Sequence, residues 1–264
     1  MNLFYRKYGV GEPLLILHGL YGSSDNWFSI AKVLEKYFTV YLIDLRNHGQ
    51  SPHSDVHDYN TMSADIEEFL EQQSLKKIFL LGHSMGGKIS IKFTKNNPDL
   101  VKKLIIVDIS PFTYENDSES LDIINSHLKI LKALSDLNVE KYNSREEVDL
   151  QLLKSIKDNK LRQFLLKNLK RNSDNIFYWT FNINSIKRNI YEILLDGSLI
   201  ENSEITVPTL FIKGENSEYI PVEHFDKIKT IFINSEIVTI KNSGHWVHAE
   251  NQKDFIECVY EFLK

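Results

Sequence analysis

Short, continuous apolar runs alternate with longer amphipathic stretches along the chain. The runs fall at Leu14–Leu17, Thr39–Ile43, Ile78–Leu81 and Leu104–Val107, and again at Thr209–Ile212 and Ile237–Ile240. Each run is continuous rather than strictly alternating, so each predicts a short strand buried on both faces. Between the runs, apolar residues recur at helical spacing. That succession predicts an α/β fold, a mostly parallel sheet flanked by helices. The closing NQKDFIECVYEFLK predicts a last helix with Phe255, Val259 and Phe262 on one face.

The rhythm breaks between about Tyr114 and Leu195, where helical patterns run on without a convincing buried strand. SLDIINSHLKILKAL sets Leu121, Ile124, Leu128 and Leu131 on one stripe. SREEVDLQLLKSI opens with Ser144 and Glu147 at capping-box spacing. The aromatic-rich NIFYWTFNINSI follows neither period cleanly. Helices this short have little core of their own, so they predict a small helical lid over the strand ends, inserted before the last two strands. The expected organisation is a single domain, with residues 1–113 and 196–264 as the core and 114–195 as the lid. No internal repeat, low-complexity tract or Pro/Gly-rich linker interrupts it.

Composition narrows the classes. Hydrophobic residues make up 42% and charged residues 25% of the 264, as in an ordinary soluble globular chain. A net charge of -5 and a pI near 6.0 argue against a nucleic-acid partner, which calls for a basic surface. Cys258 is the single cysteine, so no intrachain disulfide forms. The opening MNLFYRKYGVGEP lacks the apolar stretch of a signal peptide, and no apolar run is long enough to span a bilayer. These features predict a cytoplasmic protein with no membrane partner.

Candidate chemistry begins in KKIFLLGHSMGGKISIKF, where a buried run ends at Leu81 and a helical pattern starts near Gly86. Ser84 stands at the tip of the turn between them, in G-x-S-x-G, the pattern of a nucleophile elbow. Glycines suit positions 82 and 86 because a side chain there would strike the neighbouring strand or helix. A serine hydroxyl is a weak nucleophile until a base takes its proton. Of the nine histidines, His245 in KNSGHWVHAE follows the last predicted strand, at the carboxyl edge where such sheets bind ligands. His245 is the expected base. His248 is expected to be a hydrogen-bonded structural residue, and His83 to point away from the nucleophile. Backbone N–H groups of Leu20 and Met85 are the candidates for an oxyanion hole, with Gly19 letting the Leu20 loop turn. His18 is expected to brace that loop. DLRNHGQS is expected to form a second bracing loop through a buried Asp44–Arg46 network; the alternative is that Asn47 and His48 reach substrate.

Taken together, HGLYGS, DLRNHGQSPHS, GHSMGG and SGHWVHAE resemble the α/β-hydrolase superfamily, in order over nearly the whole chain. Within it they are most similar to YbfF-type bacterial esterases and related abhydrolase-domain-containing proteins. The resemblance implies a serine hydrolase that forms an acyl-enzyme from a small-molecule carboxylic ester or thioester, with no cofactor and no metal. Many members carry the triad's acid after the penultimate strand, within G-x-x-D. Here that phrase is IKGENSEYIP, and Ser217 stands where the aspartate would be. A serine has no charge with which to stabilise an imidazolium. Glu215 and Glu218 flank it, their side chains expected to face elsewhere. Asp108, in LIIVDISPF, ends a strand that should neighbour the nucleophile strand, and YbfF-type proteins have an aspartate in a matching phrase. Asp108 is the expected acid and Ser217 an auxiliary group; the alternative for Asp108 is a cap on the lid's first turn.

Leu20, Tyr21, Phe112, Trp179 and Trp246 are candidates for an apolar substrate pocket, against the plainer reading of lid aromatics as lid core. The basic KNLKRN (Lys167 to Asn172) is either a solvated helix face or a contact for acyl-CoA phosphates. Two other readings compete. A carbon–carbon bond hydrolase or lyase of the same fold shares GHSMGG and GHW but usually keeps its acid after the penultimate strand. A non-catalytic ligand-binding member of the fold would typically lack the serine or the histidine.

Overall fold

The computed structural model describes residues 1–112, 118–196, 200 and 204–264. The expected start of the lid at Tyr114 lies outside the described residues. Strands β1 (Tyr5–Tyr8), β2 (Glu12–Leu17), β3 (Phe38–Ile43), β4 (Ile78–His83) and β5 (Val101–Val107) lie in the first half of the chain. A two-stranded hairpin follows, β6 (Leu169–Arg171) and β7 (Phe177–Trp179), and then β8 (Thr209–Gly214) and β9 (Ser235–Ile240). All six apolar runs are strands of one sheet, ordered β1-β3-β2-β4-β5-β8-β9. Every pairing in it is parallel except β1 against β3, an edge strand the hydrophobic pattern did not announce.

Both faces are covered over the apolar runs of β2, β3, β4, β5 and β8, which is why these read as unbroken; β9, expected to be buried likewise, is an edge strand in which only Ile240 is buried. Leu15 and Leu17 of β2 face one core, with Ile66 and Phe69 of α2 (Tyr59–Gln72) and Ile89 and Phe93 of α3 (Met85–Asn96). Leu14 and Ile16 face the other, with Ile30 and Leu34 of α1 (Phe28–Leu34). Each such side chain, fully buried, contributes roughly 1.5–3 kcal/mol relative to exposure.

Parallel strands put their carboxyl ends at one edge. From β2 the chain moves outward to β3, then crosses back to β4 on the far side of β2. That reversal opens a crevice at the carboxyl edge, the usual ligand position in such sheets.

Between β5 and β8 lie α4 (Ser118–Ser135), α5 (Arg145–Leu152), α6 (Asn159–Leu166) and α7 (Ile183–Leu195), together with the hairpin. The hairpin corrects the expectation of a purely helical segment: KNLKRN runs from the end of α6 into β6 and is not a helix face. On α4 the buried positions are Ile130, Leu131 and Leu134, whereas Leu121 is exposed. Ser144 Oγ accepts the Glu147 N–H at 3.2 Å, but Glu147 returns to the Asn143 N–H rather than to that of Ser144. Side chains and backbone tie the insertion to the core. Asn168 donates to the Tyr21 carbonyl at 2.7 Å, the Tyr59 hydroxyl to the Ile193 carbonyl at 2.8 Å, and the Asn182 N–H to the Asn47 carbonyl at 2.8 Å.

The chain closes with α8 (His224–Ile231), α9 (Val247–Glu250) and α10 (Gln252–Leu263). On α10, Phe255 and Val259 are buried as the pattern predicted, but Leu263 is the third buried residue and Phe262 only half-buried. Stepping four residues from Val259, not three, keeps to the buried face. Among the described residues no helix is long and apolar enough to cross a membrane.

Candidate active site

Strand β4 passes into α3 through a single residue, Ser84, with φ 52° and ψ −121°. A non-glycine residue in that region is strained by about 1–3 kcal/mol, and the surroundings must impose it. The Ser84 N–H donates to the Val107 carbonyl at 3.0 Å, and its own carbonyl accepts the Gly87 N–H at 2.8 Å. A Cβ on Gly82 would run into the Gly86 carbonyl oxygen, and one on Gly86 into that of Leu17. Both glycines are therefore steric requirements of the turn.

Asp108 is the first residue beyond β5, the neighbour of β4, and is fully buried at φ 49°. Its Oδ1 accepts the Gly214 N–H at 2.8 Å, while Oδ2 lies 2.8 Å from His245 Nδ1 and also accepts the Ser217 hydroxyl. The structure thus brings Asp108, Ser217 and His245 together across the ends of three strands. Glu215 and Glu218 are exposed, and Glu215 instead accepts the Asn242 N–H. The Tyr219 ring stacks on His245 with centroids 3.8 Å apart and planes 21° from parallel. His83 Nε2 donates to the His245 carbonyl at 2.8 Å, and its ring lies 4.7 Å from the His245 ring. So the residue before Ser84 reaches the backbone of the His245 loop. Burial, with His245 and His248 nearby, holds the His83 pKa well below the usual histidine range.

Leu20 and Met85 flank Ser84 in one cleft. Met85 opens α3, where N–H groups have no intrahelical acceptor. Among the described residues neither the Leu20 nor the Met85 N–H donates to a protein acceptor. The loop beneath Leu20 is held by histidines. His18 Nε2 accepts the Leu45 N–H at 3.0 Å, and His48 Nε2 accepts the N–H of Tyr21, itself at φ 61°. Burial lowers the pKa of His18 to about 4 and of His48 to about 3, so both stay neutral acceptors at pH 7.

Several expectations need correction. Asp44 does not pair with Arg46: it accepts the Ser24 and Gln50 N–H groups, while Arg46 makes a two-pronged bond to Asp65 on α2. In a strand, residues two apart would share a face, but the chain leaves β3 at Ile43 and turns at Arg46 and Asn47, the latter at φ 65°, which separates 44 from 46. Asn47 and His48 are fully buried in loop bracing and do not line the cleft. His248 stacks on Trp27 at 4.0 Å, and its Nδ1 has no hydrogen-bond partner among the described residues. Stacking, not hydrogen bonding at Nδ1, holds that ring.

The cleft around Ser84 is narrow, with a cavity volume of about 20 Å³. Of the expected substrate contacts only Leu20 lines it; Tyr21, Phe112, Trp179 and Trp246 do not. Tyr21 is buried behind it, Phe112 packs on His224, Trp179 on Phe181, and Trp246 on Phe164 of α6. The wall comes instead from Tyr59, Lys88, Ile109, His127 and Tyr219, with Ile193 and Leu194 of α7. These residues are far apart in the chain, and no local motif marks them. Burial, with His245 nearby, pulls the His127 pKa to about 4. Among the described residues no cluster of three or more His, Cys, Asp or Glu side chains is placed to hold a metal ion.

A mostly parallel sheet with a strained serine at the βα turn, and a buried aspartate on histidine at the same edge, defines an α/β-hydrolase fold. Residues 12–252 match the alpha/beta hydrolase fold family, and the chain belongs to it. The chain is 38% identical to a putative esterase/lipase of Haemophilus influenzae, over 97% of this chain and 85% of that protein. It is 37% identical to the sn-1-specific diacylglycerol lipase ABHD11 of Danio rerio, over 100% of this chain and 83% of the relative. A solved structure titled marine microorganism esterase superposes with a TM-score of 0.92 at 46% identity, covering 98% of each chain. With these relatives, the protein is a hydrolase.

Proposed function

We propose that the protein hydrolyses carboxylic esters through an acyl-enzyme on Ser84. The observation that carries this reading is the Asp108–His245 pair, 2.8 Å from Oδ2 to Nδ1, at the strand edge that also carries the Ser84 elbow. With Nδ1–H committed to Asp108, Nε2 is left unprotonated to take the Ser84 proton as Oγ attacks the acyl carbonyl. The Leu20 and Met85 N–H groups receive the developing oxyanion. His245 then protonates the departing alcohol and afterwards activates the water that releases the acid. Ser217 donates to the same Asp108 oxygen and helps hold the carboxylate. The insertion, residues 118–195, acts as a lid, since α7 closes one wall of the cleft. The names of the relatives, esterase and lipase, point to the same bond. Thioesters fall within this chemistry, acyl-CoA among them.

A p-nitrophenyl ester series from acetate to palmitate tests the reading. The expected result is turnover that peaks at short acyl chains, because a cavity of about 20 Å³ at Ser84 is far smaller than ordinary ligand pockets. A fluorophosphonate should label Ser84 stoichiometrically and stop that turnover. A folded protein that is silent across the series and is not labelled would sink the proposal.

His83 is a positioning residue in this scheme. His83→Phe is expected to lower kcat about 10- to 100-fold at nearly constant KM, because the His245 backbone loses its anchor. His83→Gln, which keeps a donor, should recover part of the loss. Equal changes in kcat and KM for both variants would argue against positioning.

A further inference from the structure

Lys88 sits one helical turn beyond Ser84 on α3 and is only 2% exposed. Lysine is almost never buried this deeply, since removing an ammonium from water costs several kcal/mol. It nevertheless lines the Ser84 cleft, beside Tyr59, whose ring centre is 5.9 Å from Nζ. Burial lowers its pKa to about 8 and the Asp196 carboxylate opposes that shift, so the ammonium is mostly charged at pH 7. The other described lining residues are apolar or neutral: the remaining basic side chain, His127, is held uncharged. A small apolar cleft with one fixed cation at its wall is a poor receptor for a purely aliphatic chain. An ammonium has three donors, and a bond to a carboxylate is stronger than one to a neutral acceptor.

We propose that Lys88, with Tyr59, forms a subsite for the far end of the acyl group and selects short acyl chains that end in a carboxylate. The preferred substrates are then half-esters of small dicarboxylic acids rather than esters of the matching fatty acids. This rests on the reading of Ser84 as the nucleophile, and the experiment separates the two.

Monomethyl glutarate and methyl pentanoate have acyl chains of equal length and differ in a terminal carboxylate against a terminal methyl. Their hydrolysis is followed by methanol release at pH 7. Wild type should favour monomethyl glutarate in kcat/KM by about tenfold or more. Lys88→Met should cut that ratio at least about tenfold, chiefly through the KM for the half-ester. A wild-type preference for methyl pentanoate, or a ratio that Lys88→Met leaves unchanged, would overturn the proposal. If Lys88→Met does not fold, competition in wild type decides. Glutarate should inhibit p-nitrophenyl acetate turnover competitively and about tenfold more tightly than pentanoate; equal inhibition would overturn the subsite. Survival of p-nitrophenyl acetate turnover in Ser84→Ala would instead remove the nucleophile reading, on which the subsite depends.

Discussion

Ser84→Ala is expected to lower kcat for any ester substrate by about a millionfold, the scale on which removing a triad serine acts. Residual hydrolysis, on the order of a thousandfold over water, should persist, because the Leu20 and Met85 N–H groups and the cleft remain to bind the transition state. The same position carries a stability signature that separates chemistry from folding. Ser84 is held at φ 52°, which alanine tolerates no better than serine, so the alanine variant should melt close to wild type. Ser84→Gly should be equally inactive yet more stable by on the order of 1 kcal/mol, because glycine relieves the strained backbone. Kinetics of both variants and their thermal melts check the two halves together. An active Ser84→Ala would overturn the nucleophile assignment, and a destabilised Ser84→Gly would mean that the turn is not strained.

Asp108→Asn is expected to cost about ten-thousandfold in kcat, with KM little changed. The size follows from which oxygen is which. The Gly214 N–H donates to Oδ1, so the carbonyl of an asparagine would settle there and its NH₂ would take the place of Oδ2, facing Ser217 and His245. An NH₂ donating to Nδ1 forces the imidazole proton onto Nε2, where it can no longer accept from Ser84. Ser217 offers a hydroxyl but no charge, so it does not rescue the variant. Parallel assays of Asp108→Asn and Glu218→Gln decide the assignment: full activity in the first with loss in the second would place the acid at Glu218.

Five sheet strands were legible because burial on both faces leaves an unbroken apolar run in the sequence; β9 reads the same way although it is an edge strand and largely uncovered. The βα turn at Ser84 was legible because its geometry demands glycine at 82 and 86, where a Cβ has no room. Strand β1 was not. Tyr5–Tyr8 is an edge strand of mixed tyrosine and basic residues, and only pairing with the distant β3 makes it a strand. The three-residue strands of the hairpin are too short for period two to register. The cleft wall failed for another reason. Aromatic character alone points to Trp179 and Trp246, but both are occupied with partners on the insertion. The true wall takes Tyr59 from α2, Lys88 from α3, His127 from α4 and Tyr219 from the loop after β8. Tertiary packing alone brings those four together.

The ties between insertion and core have an engineering consequence. Hydrolases of this architecture invite grafting, with the variable segment exchanged like a cassette to import a new specificity. Here Asn168 grips the carbonyl of Tyr21, next to Leu20, and the Asn182 backbone grips that of Asn47. A transplanted segment without a donor at position 168 would release the loop beside Ser84 and lose turnover before any new pocket could be assayed. The portable unit is therefore the segment together with its stitches, and among the described residues its seams run through backbone carbonyls of the scaffold.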